Sequence, residues 1–195
     1  MTGVKITKRP GFTLLEMLLV VLIFSLASAA LAQIFVNITR LQRKISNQAV
    51  LSQDMRFATE MLVRAGRNNY IDYTGQPLAN MSHVLSLTRP GGGSIMVTIQ
   101  DAQLVCGDLT APAGSKCLAM STDGGATWNP VTSHRVNVTG FDVYVHPSSD
   151  PFQDTTINVQ PLVTANITLQ YVANNPIENM TLQTQTTVSS RLYSR

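Results

Sequence analysis

The stretch KRPGFTLLEMLLVVLIF, Lys8 to Phe24, decides how this chain is read. Two positive charges and a proline give way to an almost wholly apolar run, and one carboxylate, Glu16, sits near its start. No charged residue lies between Met17 and Thr39, a span longer than the roughly 20 residues a helix needs to cross a bilayer core. A carboxylate placed where such a helix enters lipid costs roughly a few kcal/mol. Glu16 therefore needs a reason.

Two processing routes compete for this segment. In one it is a secretory signal peptide, with a basic start, an apolar middle and Ala30-Leu31-Ala32 as the cleavage site before Gln33. In the other only the short leader is removed, after Gly11, and the apolar helix stays. Glu16 separates them. Cleavage between Gly11 and Phe12 creates an α-amino group four residues before Glu16, about one helical turn away. The acid then has a cation to neutralise, in its own chain or in a neighbour.

With Lys8, Arg9, Gly11, Phe12, Thr13, Leu14, Leu15 and Glu16 in this order, the segment resembles the prepilin N-terminus of type IV pilins and type II secretion pseudopilins. The resemblance implies cleavage after Gly11 by a prepilin peptidase, N-methylation of Phe12, and a contact between Glu16 and the N-terminal amine of an adjacent subunit. It implies as partners other pilins or pseudopilins through their N-terminal helices, an inner-membrane assembly platform and membrane lipid. It also implies a bacterial inner-membrane protein with a cytoplasmic N-terminus and an extracytoplasmic head, later part of a pilus or pseudopilus. The balance of positive charge does not set orientation, because Lys5, Lys8 and Arg9 are matched by Arg40, Arg43 and Lys44 across the span.

The net charge of +3 invites a nucleic-acid reading, yet without Lys5, Lys8 and Arg9 the chain holds 11 basic and 11 acidic residues. Bulk electrostatics therefore give DNA binding little support. Residues 40–67 are net +4 and residues 68–195 net −3, so a basic stalk joins a mildly acidic head. A solvated helix face explains the stalk's charge, with a DNA-binding strip as the alternative.

Beyond the apolar span, Ile38, Leu41, Ile45, Ala49, Met55, Ala58, Leu62 and Ala65 recur mostly at spacings of three and four, as on one helix face. No proline interrupts residues 11–76, and Gly66 with Asn68-Asn69 marks the expected stop. The stretch LSQDMRFATEMLVRAGRNNY resembles the same region of W-type minor pilins and J-type minor pseudopilins. The remainder reads as β. HVLSLTRPGGGSIMVTIQ predicts two strands about a Pro-Gly-Gly-Gly turn, and the alternation of Val136 and Val138 changes phase before Phe141, Val143 and Val145, which predicts a bulge at Gly140. Ile167, Leu169 and Tyr171 mark a half-buried strand, and residues 178–190 a polar strand fit for an edge or a wet face. The expected fold is α+β and pilin-like, one long N-terminal helix, its first half transmembrane, packed on an antiparallel β-sheet head. The expected organisation is a leader (1–11), a transmembrane or filament-core helix (12–39), its amphipathic continuation (40–67) and a β-rich extracytoplasmic head (68–195).

Sites for chemistry are sparse. Cys106 and Cys117 flank a loop without histidine; two cysteines cannot complete a zinc site, and in an oxidising compartment a disulfide would pin the loop. Ser121, Asp123, Gly125, Thr127 and Trp128 match the Asp-box of sialidases and related propellers, where it shapes a turn and is not catalytic. One copy cannot build a propeller. A secreted Asp-box hydrolase or carbohydrate-binding module is the alternative function. His83, His134 and His146 are scattered, and Asp150 with Asp154 lacks the ladder of donors of a calcium loop. No phosphate-binding loop, nucleophile elbow or dinucleotide fingerprint occurs, so no cofactor, metal or catalytic residue is expected. The reading that combines these is a minor pilin or minor pseudopilin, a structural subunit and not an enzyme, that primes or caps filament assembly. A pilus-associated DNA receptor is the third alternative.

Overall fold

The computed structural model describes residues 11–74, 81–107, 114–151, 153, 159–171 and 179–191. The leader's Lys5, Lys8 and Arg9, the loop tip 108–113 and Asp154 lie outside the described residues. The chain divides into two compact units, Met1–Ile45 and Ser46–Arg195.

The first unit holds the beginning of helix α1 (Leu14–Asn68). Its side chains between Leu14 and Ile45 are exposed almost throughout, Leu22 and Phe35 among them. The apolar window of this helix is long enough to cross a membrane and is not buried against the rest of the chain. A soluble helix hides one stripe and wets the other; this one is apolar all round, which suits lipid or a bundle of like helices.

In the second unit the helix does what the 3.6-residue period demands. Leu51, Met55, Ala58, Leu62 and Ala65 are buried at spacings of four, three, four and three. Leu51 takes the place expected of Ala49, which is exposed, as are Ile38, Leu41 and Ile45. The helix ends at Asn68, within the expected stop of Gly66 with Asn68-Asn69, and Gly66 has a second role. It is buried inside the helix, and a Cβ there would lie 2.7 Å from Val188 Cγ1. Its missing side chain lets the helix close on strand β8. Asn69 closes the helix end, its Nδ2 donating to the Ala65 carbonyl at 2.7 Å.

The strands are antiparallel, as expected, and form two sheets. The first runs β1 (Tyr70–Ile71), β2 (Val84–Thr88), β3 (Ser94–Asp101), β4 (Lys116–Ser121) and β5 (Asn129–Pro130) in that order. The second runs β6 (Val136–His146), β7 (Leu162–Tyr171) and β8 (Met180–Ser189). Pro130 gives a physical reason for the division: it has no N–H to donate to a further strand, so the first sheet ends at β5. Among the described residues one isolated bridge, Ser82 to Val143, joins the sheets. Their inner faces share one core with α1, with Leu87, Leu118, Phe141 and Ile167 fully buried. The β2–β3 turn and the polar last strand fall where the sequence puts them, and the register shift between Val138 and Gly140 is the expected bulge.

Candidate functional site

Gly11, Phe12 and Thr13 precede the first turn of α1. Thr13 caps it: the Glu16 N–H donates to Thr13 Oγ1 at 3.3 Å and to the Thr13 carbonyl at 3.0 Å, and the Met17 N–H reaches the same carbonyl. Thr13-Leu14-Leu15-Glu16 is the spacing of a capping box, a signal the sequence carries openly. Only one arm forms. Among the described residues no bond returns from the Glu16 carboxylate to the Thr13 N–H, so that carboxylate is exposed and available.

Gly11 is informative in a different way. A side chain added there would meet nothing within 4 Å, and its backbone is not in the left-handed region that favours glycine. Neither packing nor conformation asks for glycine at this position. Phe12 is 74% exposed, so it is not packed among the described residues.

A family model described as the prokaryotic N-terminal methylation motif matches residues 6–32. The chain carries that motif. It covers Gly11, Phe12 and Glu16 and runs into the apolar helix as far as Ala32. The motif supports a subunit of the type IV pilin or pseudopilin kind, processed by a prepilin peptidase and anchored by its apolar helix. No curated protein and no solved structure matches the chain.

Elsewhere the residues singled out by sequence do structural work. Cys106 and Cys117 form a disulfide with Cα atoms 6.6 Å apart, tying the turn after β3 to buried Cys117 on β4. In the Asp-box, Asp123 Oδ1 accepts from the Thr127 N–H at 2.9 Å and from Ser121 Oγ at 2.7 Å, while Oδ2 accepts from Thr127 Oγ1. Those bonds, the one from the Thr127 hydroxyl first, hold the Asp123 carboxyl below the usual carboxylate range. Gly124 and Gly125 take positive φ angles of 75° and 98°, and the Trp128 ring lies over Gly125, 3.6 Å from where a Cβ would sit. The motif is a hydrogen-bonded turn between β4 and β5.

His83 comes to Asp142, Nδ1 to Oδ1 at 3.1 Å, and to the Phe141 carbonyl at the same distance. This pair borders an open groove of about 590 Å³ that also meets Asp101 and Lys116. The other two histidines are not part of it, and among the described residues no three metal-ligating side chains gather. Sequence could not foresee the His83–Asp142 pair, because 58 residues separate them and only the seam between the sheets brings them together.

Proposed function

We propose that this chain is a minor pilin or minor pseudopilin, nearest the W-type and J-type subunits, that primes or caps a type IV pilus or type II secretion pseudopilus. The observation that carries the reading is the coincidence of the methylation motif with an exposed apolar helix whose capping leaves Glu16 available. A prepilin peptidase cuts after Gly11, a glycine the fold itself does not require, and Phe12 is then methylated. Residues 12–39 lie in the inner membrane and later in the filament core, residues 40–67 continue the helix, and residues 68–195 form the extracytoplasmic head. Glu16 neutralises the N-terminal amine of a neighbouring subunit and so fixes the axial register of the helices. The Cys106–Cys117 disulfide supports an oxidising location for the head. The role is structural rather than enzymatic.

Mass spectrometry of the mature N-terminus tests this reading, with N-methyl-Phe12 expected. A mature chain beginning at Gln33 would overturn it and restore the secretory signal. The Glu16→Ala variant should be inserted and cleaved normally yet be missing from sheared filaments. Its normal recovery there would remove the assigned role of Glu16.

A further inference from the structure

Arg40, Arg43 and Lys44 follow the apolar span on an unbroken helix, and all three are exposed. A helix turns about 100° per residue, so the three share an arc of about 100° on one side. Gln33 and Asn37 lie on that side, and Ile34, Ile38, Leu41 and Ile45 on the other. Like charges at spacings of three and four repel one another on a helix. The chain supplies nothing to offset them, because no Asp or Glu occurs between Glu16 and Asp54. Asp54 lies nearly three turns beyond Lys44 and is engaged with Ser133. A second copy does not supply the missing charge either. A parallel copy shifted by fewer than ten residues in either direction sets only uncharged or basic residues against the three cations.

Their distance from Glu16 points to a different source of negative charge. The helix rises about 36 Å from Glu16 to Arg40 and about 42 Å to Lys44. A bilayer measures about 30 Å across its hydrocarbon and about 40–45 Å with its headgroups. With Glu16 at one headgroup layer, the three cations therefore stand at the phosphates of the other. Leu41 and Ile45, 58% and 57% exposed, keep an apolar side beside the cations, the division that suits the boundary between acyl chains and headgroups.

We propose that Arg40, Arg43 and Lys44 form a docking surface for the headgroups of anionic phospholipid, in the leaflet opposite the one that Glu16 enters. The inference rests on the membrane-spanning reading of α1 and adds the lipid class that its far end selects. Each guanidinium offers a planar fork of donors to phosphate oxygens, and the lysine ammonium adds a point charge. A zwitterionic headgroup carries its own cation and is held less well, so the surface prefers lipids with net negative charge. The same contact answers the balanced positive charge on the two flanks of the span. Cations on the far side are neutralised where they stand and no longer compete with Lys5, Lys8 and Arg9 in setting orientation.

The test reconstitutes the full-length chain in vesicles of phosphatidylcholine and phosphatidylglycerol. Electron spin resonance of spin-labelled forms of the two lipids reads which of them is held at the protein surface. Lys5→Gln, Lys8→Gln and Arg9→Gln are present throughout, so that the leader's cations do not contribute. This chain should hold phosphatidylglycerol severalfold more than phosphatidylcholine, and the preference should weaken as salt rises. Adding Arg40→Gln, Arg43→Gln and Lys44→Gln should bring the two lipids to parity, whereas adding Arg56→Gln, Arg64→Gln and Arg67→Gln should change little. Excess inorganic phosphate at constant ionic strength should leave the preference in place. Carbonate extraction of the same vesicles scores insertion. A chain that carbonate removes overturns the membrane reading and this inference with it. An inserted chain overturns this inference alone if it shows no preference, or one that survives loss of the three cations. Equal loss with the Arg56, Arg64 and Arg67 variants, or displacement by inorganic phosphate, overturns it as well. So does binding of duplex DNA through Arg40, Arg43 and Lys44 by an inserted chain that shows no lipid preference.

Discussion

Leu22 and Leu62 lie on the same helix with the same side chain, yet Leu22 is 54% exposed and Leu62 only 3%. The first unit's apolar residues surround the helix, whereas those of the second, Phe57 apart, gather on one side that two sheets cover. Apolar content marks both stretches as wanting to leave water. Periodicity decides where they go: a stripe can be covered by the chain's own strands, and a helix that is apolar all round needs lipid or other helices. The two acids differ in the same way. Asp54 is tied down, its Oδ2 accepting from the Ser133 N–H at 3.2 Å and from Ser133 Oγ at 2.5 Å, while the Glu16 carboxylate is exposed.

The contrast can be broken most decisively by truncating the two leucines in turn. Leu62→Ala removes a fully packed side chain and should destabilise the head by about 2–5 kcal/mol, whereas Leu22→Ala should leave head unfolding unchanged. Thermal unfolding of the detergent-solubilised chain, followed by the fluorescence of its single tryptophan, reads both, since Trp128 belongs to the head. Equal effects would erase the distinction between the two stretches. A smaller effect comes from the acids. Asp54→Ala strands the Ser133 donors and should cost about 1–2 kcal/mol on the same signal, with Glu16→Ala costing nothing measurable.

The smallest effect concerns a polar group that the head holds out of water. The Tyr73 hydroxyl is buried with no hydrogen-bond partner among the described residues, and burial, with the Asp150 carboxylate adding to it, pushes Tyr73 up to about 12. A folded-state value raised above the ordinary 10 means that the folded head favours the neutral phenol. Its contribution to stability is then complete below about pH 10 and is lost as the pH rises through the folded value. Tyr73→Phe should flatten that alkaline slope and change stability at neutral pH by less than about 1 kcal/mol, because no hydrogen bond is lost. Unfolding midpoints measured from pH 7 to pH 11.5 distinguish the two proteins. An identical slope in both would assign the alkaline loss to other groups.

Local signals were the legible ones. The methylation motif, the apolar span, the Pro-Gly-Gly-Gly turn and the phase change at Gly140 depend on residues close in sequence, where composition and period act directly. The cysteine pair could be read because only two cysteines exist and they lie 11 residues apart. The helix stop at Gly66 with Asn68-Asn69 was legible, but the second use of Gly66, making room for Val188, 122 residues later, was not. Leu51 was missed for a similar reason: the register of the buried stripe depends on which face the sheets approach.

From its sequence alone this chain is determined to carry the N-terminal methylation motif, a helix long and apolar enough to cross a membrane, and antiparallel strands after it. Those properties follow from apolar length, helix-start chemistry and two-residue alternation, all of them local. Tertiary structure alone decided that the strands divide into two sheets at Pro130, that Gly66 serves as a packing notch, and that His83 meets Asp142. Each of these depends on which distant surfaces come together, and burial, steric fit and hydrogen-bond satisfaction set that only once the whole core has formed.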